Sequence, residues 1–298
     1  MASGLPDLPG LALLCAVAEH GSLTAAAASL GTAQPNASRT MTRLEADLGL
    51  RLLDRGPRGS ALTAQGVLVA EWAADTLDAA RRFRSATESL RGERASSFTV
   101  SSSQTVAEAL MPQWLAALRA ERPDLDIRLH VGNSVDVCER VCAGTSDVGF
   151  IESPRARGGL RSVDVTGDSL VIVVAPAHPW ADRKRPVTAA ELARTPLIVR
   201  ESGSGTRTTL DTALNGIDRA KPALELDSNA AVRVSVASGA GVAVLSELAV
   251  ASAVRAGELV VVPTALELPR RIRAVRLPGA VRAEAEALVA IARRDRRF

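Results

Sequence analysis

Residues 22–49, SLTAAAASLGTAQPNASRTMTRLEADLG, contain two short helical patterns separated by a turn. Ser22 can cap the first helix with its hydroxyl group, and Gly31 can end it. Pro35 fits the first turn of the second helix, where a backbone N–H is not needed, and Gly49 follows the last apolar residue of that helix. Another helical pattern precedes Ser22. The chain therefore begins with three short helices joined by tight turns, which is typical of a helix-turn-helix unit.

A wing and one long helix are predicted next. The segment Arg51–Thr63 contains Gly56, Pro57 and Gly59, which predict a hairpin. From Thr63 to Arg91 there is no proline, and a narrow apolar seam recurs at three- and four-residue steps. The seam consists of Ala70, Ala73, Leu77, Ala80, Phe83, Thr87 and Leu90. Two interpretations stay open: pairing with the same helix of a second chain, which we prefer because the helix is long for an internal connector, or packing against its own domain.

After the polar residues 92–97, short β-rich runs alternate with helical patterns. This alternation predicts an open α/β sheet, and the number of runs suggests two sheets. The predicted strands are Phe98–Ser102, Asp126–Val131, Asp147–Ile151, Leu170–Ala175, Leu197–Arg200, Leu224–Leu226, Val242–Leu245, Val260–Val262 and Ile272–Arg276. In such sheets, ligands bind at the carboxyl ends of the strands, often against helix N-termini.

Composition excludes several classes of protein. Hydrophobic residues make up 47% of the 298 residues, which is too many for a disordered chain. Aromatic residues make up 2%, which argues against single-stranded nucleic acid held by stacking. No apolar run approaches the roughly 20 residues of a membrane span, and the N-terminus lacks the pattern of a signal peptide. Three cysteines exclude a disulfide scaffold. We expect a cytoplasmic protein without a membrane partner.

Charge alone would place a DNA-binding surface at the wrong end of the chain. Residues 1–92 carry nine Arg and nine acidic residues, whereas residues 268–298 carry nine Arg and three acidic residues. The local pattern favours the N-terminus in spite of this balance, because charge matters where it faces the duplex. The basic run at 293–297 is interpreted most simply as a solvated helix end.

The N-terminal residues resemble the LysR-type transcriptional regulators. The resemblance rests on Ser22–Ala26, Gln34–Arg39, Leu44-Glu45, Leu48-Gly49, Leu52-Leu53, Arg55 and Leu62–Gly66. It extends to an effector domain like the periplasmic binding proteins, through Arg119–Pro123, Gly144–Phe150, His178-Pro179 and Arg200–Arg207. Ala33 departs from the family's usual Ser and removes a helix cap, for which Thr32 could compensate only if the helix started earlier. Ser246 departs from a common Pro.

The family resemblance implies which residues contact DNA. Ala37, Met41 and Leu44 should face the core, so the opposite side of their helix faces the major groove. Gln and Asn can bond adenine there and Arg can bond guanine, while Ser, Thr and further Arg side chains bind phosphates. The expected DNA-contacting residues are Thr24, Gln34, Pro35, Asn36, Ser38, Arg39, Thr42, Arg43, Arg55, Arg58 and Thr63.

The same resemblance implies an organisation into modules. We expect a winged helix-turn-helix domain at 1–65, a linker and dimerisation helix at 66–92, a hinge at 93–97, effector subdomain I at 98–167 and 268–298, and effector subdomain II at 168–267. A homodimer would read an operator with two-fold symmetry, and the family commonly assembles as tetramers. RNA polymerase is a further candidate partner.

Four polar segments lie where strands should end and helices begin. The expected effector-binding residues are Ser101, Ser102, Ser103, Gln104, Thr105, Asn133, Ser134, Ser202, Gly203, Ser204, Gly205, Thr206, Arg207, Ser228 and Asn229. Hydroxyl groups and free N–H groups at helix starts favour an anion, and Arg207 could clamp a carboxylate. The run 202–207 looks like that of family members linked to sulfur assimilation or carbon fixation. We therefore expect a small anionic effector, although each Ser could be only a helix cap.

An α/β enzyme of hydrolase type with an N-terminal interaction module is the rival class. Ser204 lies in G-S-G, but the nucleophile-elbow pattern G-x-S-x-G is absent there. The run Gly239–Val244 lacks the third glycine of a dinucleotide fingerprint. No metal-ligand spacing is present, so we expect neither a cofactor nor a metal, and no catalytic residue is assigned. Cys138 and Cys142 are interpreted as small buried hydrophobic residues in preference to a redox switch.

Overall fold

The computed structural model describes residues 7–56, 59–90, 97–154, 156, 158–279 and 281–295. The chain divides into two compact units, Met1–Thr87 and Glu88–Phe298. The boundary lies near the end of the predicted linker helix, and we describe each unit by itself.

Three short helices open the first unit, as the sequence predicts. They are α1 (Leu8–His20), α2 (Leu23–Ser29) and α3 (Gln34–Leu48). The Ser22 hydroxyl group accepts a hydrogen bond from the backbone N–H of Ala25 at 3.2 Å, which caps α2. Gly21 and Gly49 end α1 and α3 with φ of 72° and 64°, where a side chain would be strained. Ala33 precedes α3 without a side-chain cap, so Thr32 does not shift the start of this helix.

The predicted wing and long helix are both present. Strands β1 (Leu53–Gly56) and β2 (Gly59–Leu62) pair in antiparallel register, and α4 runs over 27 residues (Ala64–Leu90). The Thr63 hydroxyl group accepts a hydrogen bond from the backbone N–H of Gly66 at 2.9 Å and donates to the carbonyl oxygen of Arg51 at 2.8 Å. Thr63 therefore connects the start of α4 by hydrogen bonds to the residue Arg51, just before the wing.

The preferred interpretation of the α4 seam is wrong for its first half. Ala70, Ala73 and Leu77 are 2–8% exposed and belong to the core of the first unit, together with Leu14 and Met41 from α1 and α3. Apolar side chains on a helix turn toward the largest apolar surface within reach, and here that surface is the chain's own three-helix unit. Farther along the seam, Ala80 is half-buried and Phe83 is 74% exposed, whereas the side chain of Leu90 lies outside the described residues.

The second unit alternates strands and helices. Its strands are β3 (Ser97–Ser103), β4 (Asp126–Gly132), β5 (Val148–Ile151), β6 (Arg161–Val174), β7 (Leu197–Arg200), β8 (Leu224–Leu226), β9 (Val242–Ser246), β10 (Val260–Val262) and β11 (Pro269–Arg276). Its helices are α5 (Gln104–Ala109), α6 (Met111–Glu121), α7 (Ser134–Cys142), α8 (Ala189–Arg194), α9 (Gly205–Ala213), α10 (Asn229–Ala237), α11 (Glu247–Arg255) and α12 (Ala283–Arg294). All nine predicted strands are present, most within two residues of their predicted ends.

The strands form two sheets that share β6, as the sequence suggested, so their order is one continuous path. The order is β4-β3-β5-β11-β6-β9-β7-β8, and β10 pairs with β6. Strand β6 is 14 residues long; its first part pairs with β11, and its last part pairs with β9 and β10. The sequence predicted only the apolar end of β6, because Thr166, Gly167 and Asp168 interrupt the apolar pattern there. Backbone pairing with β11 keeps these three residues in the strand in spite of their low strand propensity.

The carboxyl ends of two sets of parallel strands lie close to each other. Strands β4, β3 and β5 are parallel in one half of the sheet, and β8, β7 and β9 are parallel in the other. Residues from the ends of both sets are in contact, as described below. Side chains such as Phe98, Trp114 and Phe150 fill the core beneath the first set, so these strand ends rest on a packed layer.

We predict that Gly66→Ala destabilises the first unit, because a Cβ there would lie 2.2 Å from the carbonyl oxygen of Leu52. Forced packing of this kind costs about 1–3 kcal/mol, so the thermal unfolding temperature should fall by several degrees. Gly158→Ala is the matched control, because its Cβ would meet nothing within 4 Å. Equal unfolding temperatures for the two variants would contradict the packing of α4 on the wing.

Candidate DNA interface and effector site

One face of α3 is free to meet a duplex within the first unit. Ala37, Met41 and Leu44 are at most 1% exposed. Their burial turns the predicted base-reading residues outward: Gln34, Pro35, Asn36, Arg39, Thr42 and Arg43 are exposed and Ser38 is half-buried. Thr24 on α2 is exposed as well. The structure thus leaves most of the predicted DNA-contacting residues exposed to solvent.

Hydrogen bonds orient part of this face. The Asn36 side-chain oxygen accepts a hydrogen bond from the guanidinium of Arg39 at 2.7 Å, which links the two side chains best suited to base edges. Arg43 lies 3.8 Å from Asp7 and 3.9 Å from Asp47, and its side chain is 69% exposed. Such long, exposed ion pairs contribute little and leave the cation accessible to a phosphate.

Three predicted phosphate contacts are placed differently or lie outside the described structure. Thr63 is half-buried and its hydroxyl group is engaged at the start of α4, as described above. The side chain of Arg55 and the whole of Arg58 are outside the described residues.

Within the second unit, the predicted polar segments converge from both halves of the sheet. A Cβ on Gly203 would lie 3.1 Å from the Asn133 side chain, and one on Gly205 would lie 3.0 Å from the backbone of Glu152. The Gln104 amide donates to the carbonyl oxygen of Asp227 at 2.6 Å and accepts from the backbone N–H of Asn229 at 2.9 Å. These contacts join the strand ends of the two halves of the sheet, and we call the junction between them the effector cleft. The glycines permit the close approach.

Several predicted effector residues have structural roles in this cleft. The Ser101 and Ser146 hydroxyl groups are 2.6 Å apart, and Ser102 donates to the carbonyl oxygen of Ser103. Asn133 and Ser228 cap α7 and α10 with their side chains. These four residues therefore support the cleft, and Ser202 is exposed.

A smaller group of buried hydroxyl groups is left at the centre. Ser103, Thr105, Ser204 and Thr206 are each at most 3% exposed. The Ser103 hydroxyl group has no hydrogen-bond partner among the described residues. Ser204 precedes α9 without capping it through its side chain. Buried hydroxyl groups normally have partners, so this arrangement is suited to an additional hydrogen-bond acceptor.

Arg270 on β11 lies beside these hydroxyl groups, and the sequence analysis missed it. Its side chain is 1% exposed, and its guanidinium is 2.6 Å from the Asp168 carboxylate on β6. It also donates to the hydroxyl groups of Thr206 at 3.0 Å and Thr105 at 3.3 Å. The Ser246 hydroxyl group donates one bifurcated hydrogen bond to the two Asp168 carboxylate oxygens, at 2.8 and 3.0 Å. The buried ion pair on the two central strands thus contacts residues from both halves of the cleft, Thr105 and Thr206.

Two more buried charged residues border this pair. The guanidinium of Arg200 binds Glu201 at 2.8 Å and the side-chain oxygen of Asn229. Glu152 is 3% exposed and lies 3.8 Å from Arg270. Together, Arg200 and Arg270 face the three carboxylates of Asp168, Glu152 and Glu201, so these five groups carry a formal charge of −1.

The structure places Arg207, the predicted clamp, outside this central group. Its guanidinium binds the Asp211 carboxylate at 2.9 Å and the Glu225 carboxylate at 3.3 Å. The i, i+4 spacing of Arg207 and Asp211 on α9 was a visible signal for this pairing. The signal for Arg270 and Asp168 was weaker: each is a charged residue beside apolar strand residues, and only the fold shows that they meet.

No group of three or more metal-ligating side chains occurs in the part of the chain that the structure describes. No single described helix has the length and hydropathy of a membrane span; α1 and α2 reach that test only as a pair bent by 114°.

Comparison with known proteins identifies the family. Residues 8–67 match the model of the bacterial regulatory helix-turn-helix protein, lysR family, and residues 91–297 match the LysR substrate binding domain. The uncharacterized HTH-type transcriptional regulator Rv2282c of Mycobacterium tuberculosis is 43% identical over 94% of this chain and 93% of its own length. YeiE of Escherichia coli K12, described in the same words, is 34% identical over 88% of this chain and 87% of its own.

A solved structure agrees with the fold. OxyR of Corynebacterium glutamicum in an H2O2-bound form has a TM-score of 0.57 and 24% identity, over 97% of this chain and 94% of that one. The relatives are named as regulators, which does not favour the enzyme alternative. The chain belongs to the LysR family of transcriptional regulators, with a winged helix-turn-helix domain and an effector domain.

Proposed function

We propose that the protein binds an operator with two-fold symmetry as a homodimer and changes its hold on that DNA when a small anionic metabolite enters the effector cleft. The observation that carries this proposal is the convergence of buried hydroxyl groups from both subdomains around Arg270. A chromosomal regulator works in the cytoplasm, and RNA polymerase remains a candidate partner there.

The outward face of α3 supports sequence-specific reading of DNA. Its N-terminal residues Gln34 and Asn36 can bond adenine, and Arg39 can bond guanine, in the major groove. The helix N-terminus and the adjacent Thr24 suit phosphate contacts, which fix the register of the protein on the duplex.

A different face of α4 supports the dimer. Leu68, Trp72 and Phe83 are 51%, 64% and 74% exposed, and with the exposed Thr76 and Ala79 they form one stripe at three- and four-residue steps. We call these five residues the outer stripe. Exposed apolar side chains in such a row are typical of a helix that pairs with another chain. The outer stripe therefore replaces the buried residues of the predicted seam.

The effector cleft supports a small anion, although its Arg residues are already paired with carboxylates. The hydroxyl groups of Ser103, Thr105 and Thr206 can donate hydrogen bonds to an anion, as can the free backbone N–H groups at the start of α9. A ligand held between two subdomains shifts their closure only by its different affinity for the open and closed states. That shift is the proposed signal to the DNA-binding units.

Arg39→Ala should weaken specific operator binding at least about five-fold and leave the fold intact, because a bidentate base contact contributes about 1–3 kcal/mol. Genomic fragments captured with purified protein supply the operator, and gel shifts measure the affinity. Arg128→Ala, at an exposed position of the effector unit, is the control. Unchanged affinity in the Arg39 variant would refute the assignment of the reading face.

Trp72→Glu should weaken the dimer at least about ten-fold, because large aromatic side chains dominate the energy of interfaces. Analytical ultracentrifugation of the full chain measures the dissociation constant. Glu71→Ala changes the neighbouring exposed position outside the outer stripe and should leave the dimer intact. A dimer of normal strength in the Trp72 variant would place the interface elsewhere.

Ser103→Ala should lower the affinity for inorganic phosphate, sulfate or a small carboxylate, whichever binds, by about three- to ten-fold. The unfolding temperature should not fall, because the lost hydroxyl group has no described partner. Calorimetry measures the binding, and Ser202→Ala at the exposed position is the control. Lack of binding by every anion to the wild-type protein would contradict the anionic effector.

A further inference from the structure

Glu152 is a buried carboxylate with weak partners. It follows β5 directly at the edge of the effector cleft, and its side chain is 4% exposed. Among the described residues, its nearest polar partners are the Ser134 hydroxyl group at 3.3 Å and the guanidinium of Arg270 at 3.8 Å. The first distance is long for an O–H donor, and the second is too long for a hydrogen bond.

Arg270 does not compensate for these weak contacts, because its guanidinium is already committed. Its closest carboxylate is Asp168 at 2.6 Å, and its remaining hydrogen bonds go to Thr105 and Thr206. Breaking this geometry to approach Glu152 would leave Asp168 buried with Ser246 as its main partner. A buried carboxylate without full compensation is unfavourable, so Glu152 is ready to accept a hydrogen bond from a bound molecule.

The surrounding hydroxyl groups are hydrogen-bond donors, whereas Glu152 is an acceptor. The oxygen of Thr105 accepts hydrogen bonds from Arg270 and from the Asn229 amide, each at 3.3 Å, so its two lone pairs are used and its hydrogen is available to donate. The oxygen of Thr206 likewise accepts from Arg270 at 3.0 Å. Arg270 and Asn229 therefore position these hydroxyl groups as donors, near the weakly compensated carboxylate of Glu152.

We infer that Glu152 makes the effector site selective for an oxyanion that carries a proton. The oxygens of such an anion would accept hydrogen bonds from the hydroxyl groups, while its own O–H group would donate to Glu152. A fully deprotonated anion of the same shape would instead place an oxygen lone pair against the carboxylate. This inference rests on the proposed effector site and names the chemical class of its ligand.

Inorganic phosphate and sulfate test the inference directly. Both are tetrahedral anions of similar size, but near neutral pH phosphate retains a proton and sulfate does not. Calorimetry on the full-length wild-type protein, at constant ionic strength, should give phosphate at least about ten-fold tighter binding than sulfate. The reason is that the phosphate O–H group makes a strong hydrogen bond to the buried carboxylate, whereas sulfate leaves that carboxylate unpaired. This comparison needs no variant and so does not depend on the folding of one.

Glu152→Gln supplies the second arm. The amide has the shape of the carboxyl group but can donate a hydrogen bond, so the preference for phosphate should disappear or reverse in favour of sulfate. Glu258→Gln, at an exposed position, is the control and should keep the wild-type ratio. Circular dichroism and thermal unfolding confirm that each variant is folded.

The outcomes separate this inference from the proposed function. Sulfate binding as tight as phosphate binding in the wild-type protein, or an unchanged ratio in folded Glu152→Gln, would overturn the selectivity of Glu152 while leaving an anion site in place. Failure of both anions to bind the wild-type protein would overturn this inference, whereas the anionic effector would be contradicted only if small carboxylates also failed to bind.

Discussion

The buried ion pair between Asp168 and Arg270 is the interaction on which the effector site depends. It lies on β6 and β11, the two strands that join the halves of the sheet, and Arg270 reaches a hydroxyl group from each half. Loss of one partner from such a pair costs about 3–5 kcal/mol, because the other charge stays buried alone. This ion pair therefore limits which residues can line the cleft and how they are oriented.

As a consequence, the cleft is lined mainly by hydroxyl and backbone N–H groups that are held in place as hydrogen-bond donors. Charged side chains in the cleft bind mainly to one another, so a ligand would meet hydroxyl groups, helix starts and the partly compensated Glu152. Neutral donors of this kind discriminate by hydrogen-bond pattern and shape more than by total charge.

Much of this molecule could be predicted from its sequence because the decisive signals are local. Glycines with left-handed φ at 21 and 49, the Ser22 cap and the apolar face of α3 fix the DNA-binding unit within 50 residues. Strands such as β5, β7 and β9 could be predicted because their apolar runs are buried and end at polar segments. The polar segments beside the strand ends could be located for the same reason.

What sequence reasoning missed depends on contacts between distant residues. Asp168 and Arg270 are 102 residues apart, and Glu152 meets Ser134 because β4 and β5 both run parallel to β3 and end at the same edge of the sheet. The prediction that the first half of the α4 seam pairs with a second chain was wrong for a related reason. A periodic apolar face shows that a helix packs against something, but it does not show whether the partner is its own domain or another chain. The sequence also did not reveal that Arg207 is paired with carboxylates on α9 and β8.

Hydrogen exchange on the full-length protein, with and without inorganic phosphate, tests most directly whether a ligand binds between the two halves of the effector unit. The account predicts slower exchange at residues 101–106 and 202–209 together, because a ligand held by both segments opposes their separation. Slower exchange in one segment alone, or only at sites outside the cleft, would contradict it.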